Sequence, residues 1–293
     1  MVTANWGARA ATAALATVMI VALGACAPNG TDAIRPSVTA TEDPPVESEA
    51  PELTVDDIAT AVADGEWSYA LDGVQEPFLV TVVAGTATDE HGRQFTVGDA
   101  VAGDADGDGI IDAAIPIAMV DGNAFHELWY IWLGREPGTA PEQVIYPIAR
   151  STRCGDVTRS VTAAGAGFTL DIVLRMPYTD DARSCADGGT GALTRTVSVT
   201  SVDGTYYPVQ SAPIAAWGGV CPPTTWLDGV EELGIAGRAA PPASAPVVID
   251  TTRPVALFAL GDAPLLTASG VSFFGFIQDD ADVPVKMHCA FAD

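Results

Sequence analysis

The stretch Asp104-Ala-Asp-Gly-Asp-Gly-Ile-Ile-Asp112 limits what this 293-residue chain can fold into more than any other nine residues. Four carboxylates so close together repel one another unless a cation or solvent separates them. Gly107 and Gly109 permit the left-handed backbone angles that turn several oxygens inward. Counting Asp104 as the first position, Asp106 and Asp108 are third and fifth, Ile110 offers its backbone carbonyl at the seventh, and Asp112 is ninth. Hard oxygen ligands at this spacing suit Ca²⁺, which takes roughly six to eight oxygens in a flexible shell; Mg²⁺ dehydrates reluctantly and demands tighter octahedral geometry. A solvated acidic turn is the alternative. The continuation decides the architecture. Ala113-Ala-Ile-Pro-Ile-Ala-Met-Val120 places Pro116 between Ile115 and Ile117, which favours a strand over a helix. Ile115 also stands where a helix-type calcium loop needs a bidentate carboxylate. The loop is therefore expected to link two strands.

In this form it resembles the D-x-D-G-D-G-x-x-D loop of FG-GAP and VCBS-type β modules, in which a calcium loop joins strands. The resemblance covers only Val97 to Val120. Those families repeat the loop in successive blades, whereas this chain carries it once, so neither their propeller nor their ligand binding is transferred. What the resemblance implies is a structural Ca²⁺.

The rest of the folded chain is punctuated in the manner of a β protein, with short apolar or alternating runs between Gly, Asp, Asn and Pro. Strands are predicted at Phe78–Ala84, Ala113–Val120, Phe125–Leu133, Val144–Ile148, Phe168–Arg175, Leu193–Ser201, Val255–Leu260, Val271–Ile277 and Val285–Phe291. Asp121-Gly122-Asn123 marks a hairpin. One short helix opens the body: Thr54 and Asp57 form a capping-box pair, Val55, Ile58 and Val62 share a face, and Asp64-Gly65 ends it. Thr225 to Leu233 reads as a second short helix, and Ala236 to Ala245, with Pro241 and Pro242, as a surface connection. The fold class is thus mainly β, with antiparallel sheets and one short N-terminal helix; α+β is the alternative.

Residues 1–25 read as a signal peptide, with Arg9 ahead of a short apolar run from Ala10 to Ala25. The run ends in Leu23-Gly24-Ala25-Cys26, which resembles the lipobox of bacterial lipoproteins. That resemblance implies cleavage before Cys26, lipid on its thiol, and a membrane-anchored, extracytoplasmic protein. Residues 26–53 form a Pro-, Thr- and Glu-rich tether with too few large apolar residues to bury. Acidic residues outnumber basic ones 38 to 13, which argues against nucleic acid or an anionic lipid surface as a partner, since either would be repelled. The abundance of Ala and Arg over Lys resembles an actinobacterial composition. Beyond Cys26 four cysteines remain, an even number that suggests two disulfides with three possible connectivities. Cys154–Cys185 and Cys221–Cys289 are favoured, the first bracketing a compact stretch and the second tying the C-terminus back. All four lie in 151–293, a disulfide-stabilised β region that is either separate from or continuous with the β domain at 54–150 carrying the acidic loop.

No catalytic motif names a reaction. There is no G-x-S-x-G elbow, no H-E-x-x-H and no phosphate-binding glycine pattern. His91 sits in a turn and His288 beside Cys289. On the aromatic strand Phe125–Leu133, alternation puts Tyr130 and Trp132 on one face as a candidate ligand platform, or inside a core strand covered on both sides. Asp279-Asp280-Ala281-Asp282 lacks the glycine spacing of the first cluster and reads as a solvated loop. The sequence points to a binding or structural module of the cell envelope, with an envelope protein or polysaccharide as partner. A polysaccharide or peptidoglycan hydrolase and a solute-binding protein are the alternatives.

Overall fold

The computed structural model describes residues 52–176, 179–222, 231–232, 237–242, 244–249, 255–259, 264–267, 273–278 and 288–292. The signal peptide, Cys26, nearly all of the tether, most of Thr225 to Leu233 and the Asp279–Asp282 cluster lie outside these residues. Glu231–Glu232, within the stretch expected to be helical, is a strand.

Helix α1 (Val55–Ala63) starts where its cap predicts. The Thr54 hydroxyl accepts from the Asp57 N–H, the Asp57 carboxylate accepts from the Thr54 N–H, and Asp64 closes the helix. A two-stranded ribbon follows, β1 (Glu66–Tyr69) with β2 (Phe78–Thr81). The first large sheet contains β3 (Thr86–Thr88), β4 (Gln94–Val97), β5 (Val101–Gly103), β6 (Asp112–Asp121), β7 (Ala124–Leu133), β8 (Glu142–Gln143) and β9 (Ala149–Thr152). Its order is β3-β4-β6-β7-β8, with β5 also on β6 and β9 also on β7. The second sheet runs in chain order: β10 (Val157–Ala163), β11 (Phe168–Leu174), β12 (Gly191–Val202), β13 (Thr205–Ala212) and β14 (Ala216–Trp217). The third contains β15 (Glu231–Glu232), β16 (Gly237–Arg238), β17 (Val247–Ile249), β18 (Val255–Ala259), β19 (Phe273–Gln278) and β20 (His288–Ala292); between β18 and β19 lies the one-turn helix α2 (Pro264–Thr267). Among the described residues every strand pairing is antiparallel. The protein is β-rich, as its punctuation predicted.

Proline at the centre of β6 needs an explanation, since a central strand normally rejects it. The Pro116 carbonyl accepts from the Gly98 N–H, so the side of Pro116 that lacks a donor faces the break between β4 and β5. No ladder bond is lost there. On its other edge β6 pairs with β7 in unbroken register from Ala113↔Trp132 to Asp121↔Ala124, closed by the predicted Asp-Gly-Asn turn.

β7 separates two cores. Its Leu128, Tyr130 and Trp132 face a cluster with Ile58 and Val62 of α1, Trp67, Tyr69, Val80 and Phe95. Ile131 and Leu133 face the opposite way, into a cluster with Phe168, Leu170, Val197 and Trp217 of the second sheet and Cys289 and Phe291 of β20. Each fully buried large side chain contributes roughly 1.5–3 kcal/mol through removal from water. The described residues that form the two cores fall within one compact unit.

Two sequence expectations fail here. Val144–Ile148 is not a strand but a kinked link between β8 and β9. Pro147 lacks a donor, and the flanking amides still bond to β7, Val144 N–H to Ile131 and Ile148 N–H to Trp129. The Ala236–Ala245 segment is not a surface connection throughout: Ala239, Ala240 and Ala245 are buried, and Gly237–Arg238 pairs with β17 and β20.

Candidate metal centre

The acidic nonapeptide closes a hairpin. β5 and β6 pair from Val101↔Ala114 to Gly103↔Asp112, and residues 104–111 form the connection. The strand-linking geometry inferred from Pro116 is the one observed. Gly107 and Gly109 take φ of 77° and 83°, the left-handed values that their positions require.

The carboxylates shape the loop as well as charge it. Asp104 accepts from the N–H groups of Gly107 at 2.8 Å and Gly109 at 3.2 Å. Asp106 accepts from Asp108 N–H at 3.2 Å, and Asp108 from Ile110 N–H at 2.7 Å. These bonds bring one oxygen of each of Asp104, Asp106 and Asp108 within 4.8 Å of the others. Three hard oxygen donors so close can hold a divalent cation of the Ca²⁺ class, whose preferred ligands they are. Desolvation raises the Asp106 pKa above the usual carboxylate range, with the Asp108 and Asp104 charges adding to the shift.

Asp112 stands apart from the triad. It is 1% exposed, and its two oxygens accept from Ala105 N–H at 2.6 Å and Gly134 N–H at 2.8 Å. Burial pushes its pKa up to about 6, against the two N–H donors that favour the anion. Asp112 thereby ties the two ends of the loop together and fastens them to the end of β7. The contact is close: a Cβ on Gly134 would meet the Ile111 carbonyl oxygen at 2.0 Å. The backbone carbonyls of Asp104 and Ala105 in turn accept from Gly167, in the turn between β10 and β11, and from Val199 of β12. Ile110, the expected backbone ligand, is half-buried in the same loop.

Arg135 was not foreseen from the sequence. Its guanidinium lies 3.8 Å from Asp106, bonds Glu142 at 2.6 Å, and sits 4.9 Å from the centre of the Tyr206 ring. It follows the aromatic strand with no motif around it, and only the pairing of β6 with β7 brings it to the loop. A groove of about 1100 Å³ runs alongside, with Leu53, Asp104, Ile110 and Arg135 among its walls.

The candidate platform is corrected. Tyr130 and Trp132 are 0% and 6% exposed. Tyr130 accepts from the Ala70 N–H at 2.9 Å, and Trp132 packs edge-on against Trp67 at 4.9 Å. Alternation placed the two on one face correctly, but α1 and the β1–β2 ribbon cover that face, so neither ring is available to a ligand. The cysteines pair as favoured, Cys154 with Cys185 and Cys221 with Cys289. His91 is exposed in its turn, and His288 is buried against β13, its Nδ1 2.9 Å from Gln210. Among the described residues no helix is long and apolar enough to cross a membrane. Compared with known proteins, the chain matches no family model, no curated protein and no solved structure.

Proposed function

We propose that the chain is a lipid-anchored extracytoplasmic protein of the cell envelope, and that its β-rich body is a binding or structural module with one structural Ca²⁺. The observation that supports the anchor most directly is the cysteine pairing. Four of the five cysteines are consumed by one another in two disulfides, as suits an oxidising compartment. Cys26, in its Leu-Gly-Ala-Cys context, is left for the thioether. The tether then spaces the body from the membrane, and the body's acidic balance disfavours nucleic acid as a partner. Asp104, Asp106 and Asp108 are the residues proposed to hold the ion, with the Ile110 carbonyl in the same loop and Asp112 clamping the loop's ends. Its role is to neutralise the loop that joins β5 to β6.

Two measurements test this reading. Cell fractionation of the wild type and Cys26→Ser should find the first with membranes and the second in the soluble extracytoplasmic fraction; a variant that stays with membranes overturns the anchor. Equilibrium dialysis against radiolabelled calcium should show one bound equivalent, lost in Asp106→Ala/Asp108→Ala. Absence of binding at millimolar calcium overturns the ion site. Retention of isolated envelope polysaccharide or envelope proteins on the immobilised chain would then identify the partner.

A further inference from the structure

The two disulfides occupy opposite environments. Cys289 is fully buried in the larger core and Cys221 packs against it. Cys154 and Cys185 are both exposed. Thiol–disulfide exchange requires a thiolate to reach a sulfur along the S–S axis, so access decides which bond exchanges, and exposed bonds are the labile ones.

Opening the exposed bond would leave both of its turns in place, because each is held independently. On the Cys154 side, Thr152 N–H bonds the Asp156 carbonyl at 2.9 Å, and Arg150 reaches the Asp156 carboxylate at 3.3 Å. On the Cys185 side, Asp180 is 0% exposed and accepts from Met176 N–H, Thr190 N–H and the Thr190 hydroxyl at 2.7, 2.9 and 3.1 Å. The Arg175 guanidinium donates to the carbonyls of Asp180, Arg183 and Ser184, and Ser184 and Asp187 form a reciprocal cap around Cys185. The two sides also meet without sulfur, since the Asp156 carboxylate accepts from Arg175 N–H at 3.0 Å.

We propose that Cys154–Cys185 is a surface thiol-exchange site, opened and closed by extracytoplasmic thiols while the body stays folded and Cys221–Cys289 stays intact. In the opening step an external thiolate attacks one of the two sulfurs. The S–S bond breaks, its electron pair leaves on the other cysteine as a thiolate, and a mixed disulfide forms. With a dithiol reagent the second thiol, once deprotonated, attacks the external sulfur of that mixed disulfide. The products are an oxidised cyclic disulfide and two cysteine thiols, a balanced transfer of two electrons and two protons. The reduced protein then presents a dithiol that can pass those electrons to another disulfide.

The test treats the full chain in detergent with graded dithiothreitol, alkylates with iodoacetamide and maps each cysteine by peptide mass spectrometry. Cys154 and Cys185 should become labelled at least about tenfold faster than Cys221 and Cys289. Circular dichroism should be unchanged, and the bond should re-form when oxidised dithiothreitol is supplied. Labelling of all four cysteines together, or labelling only as the body unfolds, overturns the proposal. A Cys154→Ser/Cys185→Ser chain should fold with Cys221–Cys289 formed; if it does not, the exposed bond is a structural staple and the proposal fails.

Discussion

The two cores differ in how far apart in sequence their members lie. The core under α1 draws its buried residues from Ile58 to Trp132 and closes without a covalent link. It is knit by aromatic edges: Trp67 on Tyr130 and Trp132, Tyr69 on Phe95 and Phe78, and Arg93 over Phe78. The larger core draws on residues from Val74 to Phe291. Bringing such distant segments together costs more chain entropy, and there the Cys221–Cys289 bridge spans 68 residues. Local packing suffices where the chain returns soon; a covalent tie appears where it returns late. The acidic loop is the joint between the two. Ala105 lies in the larger core and Ala113 in the aromatic one, with Asp112 clamped between them.

The comparison can be broken at each end. Trp67→Ala should cost the most, about 3–5 kcal/mol, because it empties the centre of the aromatic core and orphans the Val62 carbonyl that accepts from its indole. Chemical denaturation read by far-ultraviolet circular dichroism measures it; a loss below about 1 kcal/mol would mean that the ring is not the keystone described. Removing the buried bridge with Cys221→Ser/Cys289→Ser should cost about 2–5 kcal/mol. Removing the exposed bridge should cost less, and equal losses would erase the distinction between the two disulfides.

Smaller effects probe the joint and the cap. With calcium chelated, Asp112 should impose a pH dependence of known sign. Its folded pKa of about 6 exceeds the ordinary 3.8, so the unfolded chain loses its proton first. Its contribution therefore favours the fold below about pH 4, falls as pH rises to about 6, and is level above that, a total change on the order of 3 kcal/mol. The difference between wild-type and Asp112→Asn stability curves isolates it; parallel curves across that window would show that Asp112 is ionised throughout. Thr54→Ala should cost about 1 kcal/mol through loss of the cap of α1. No change in denaturation midpoint would mean that the helix is held by packing alone.

Much of this was legible before any coordinates. The cap at Thr54 and Asp57, the hairpin at Asp121-Gly122-Asn123 and the strand after the acidic loop rest on local chemistry, and the structure has them as read; the cysteine pairing is also the one favoured among three connectivities. What escaped the sequence was tertiary. Short strands such as Gln94–Val97 and Val101–Gly103 carry little periodicity and exist because β6 offers them an edge. The burial of Tyr130 and Trp132 depends on a helix and ribbon far earlier in the chain, and Ala70, just after β1 and 60 residues from Tyr130, bonds its hydroxyl. Arg135 reaches the loop only through the β6–β7 register, and Asp112 turns from a presumed equal of its neighbours into a clamp because Gly134 is brought beside it.

The central proposal is that the acidic loop is a cation-held joint between the two cores. Thermal unfolding of the chain in millimolar calcium and in chelator measures this directly, in wild type and in Asp106→Ala/Asp108→Ala. At a calcium concentration about a hundred times the dissociation constant, linkage gives about 2.7 kcal/mol, and for a body of this size that corresponds to a midpoint about 5–10 °C higher. The double variant should unfold at one temperature in both conditions. A wild-type midpoint indifferent to chelation would contradict the account and leave the loop as a solvated acidic turn.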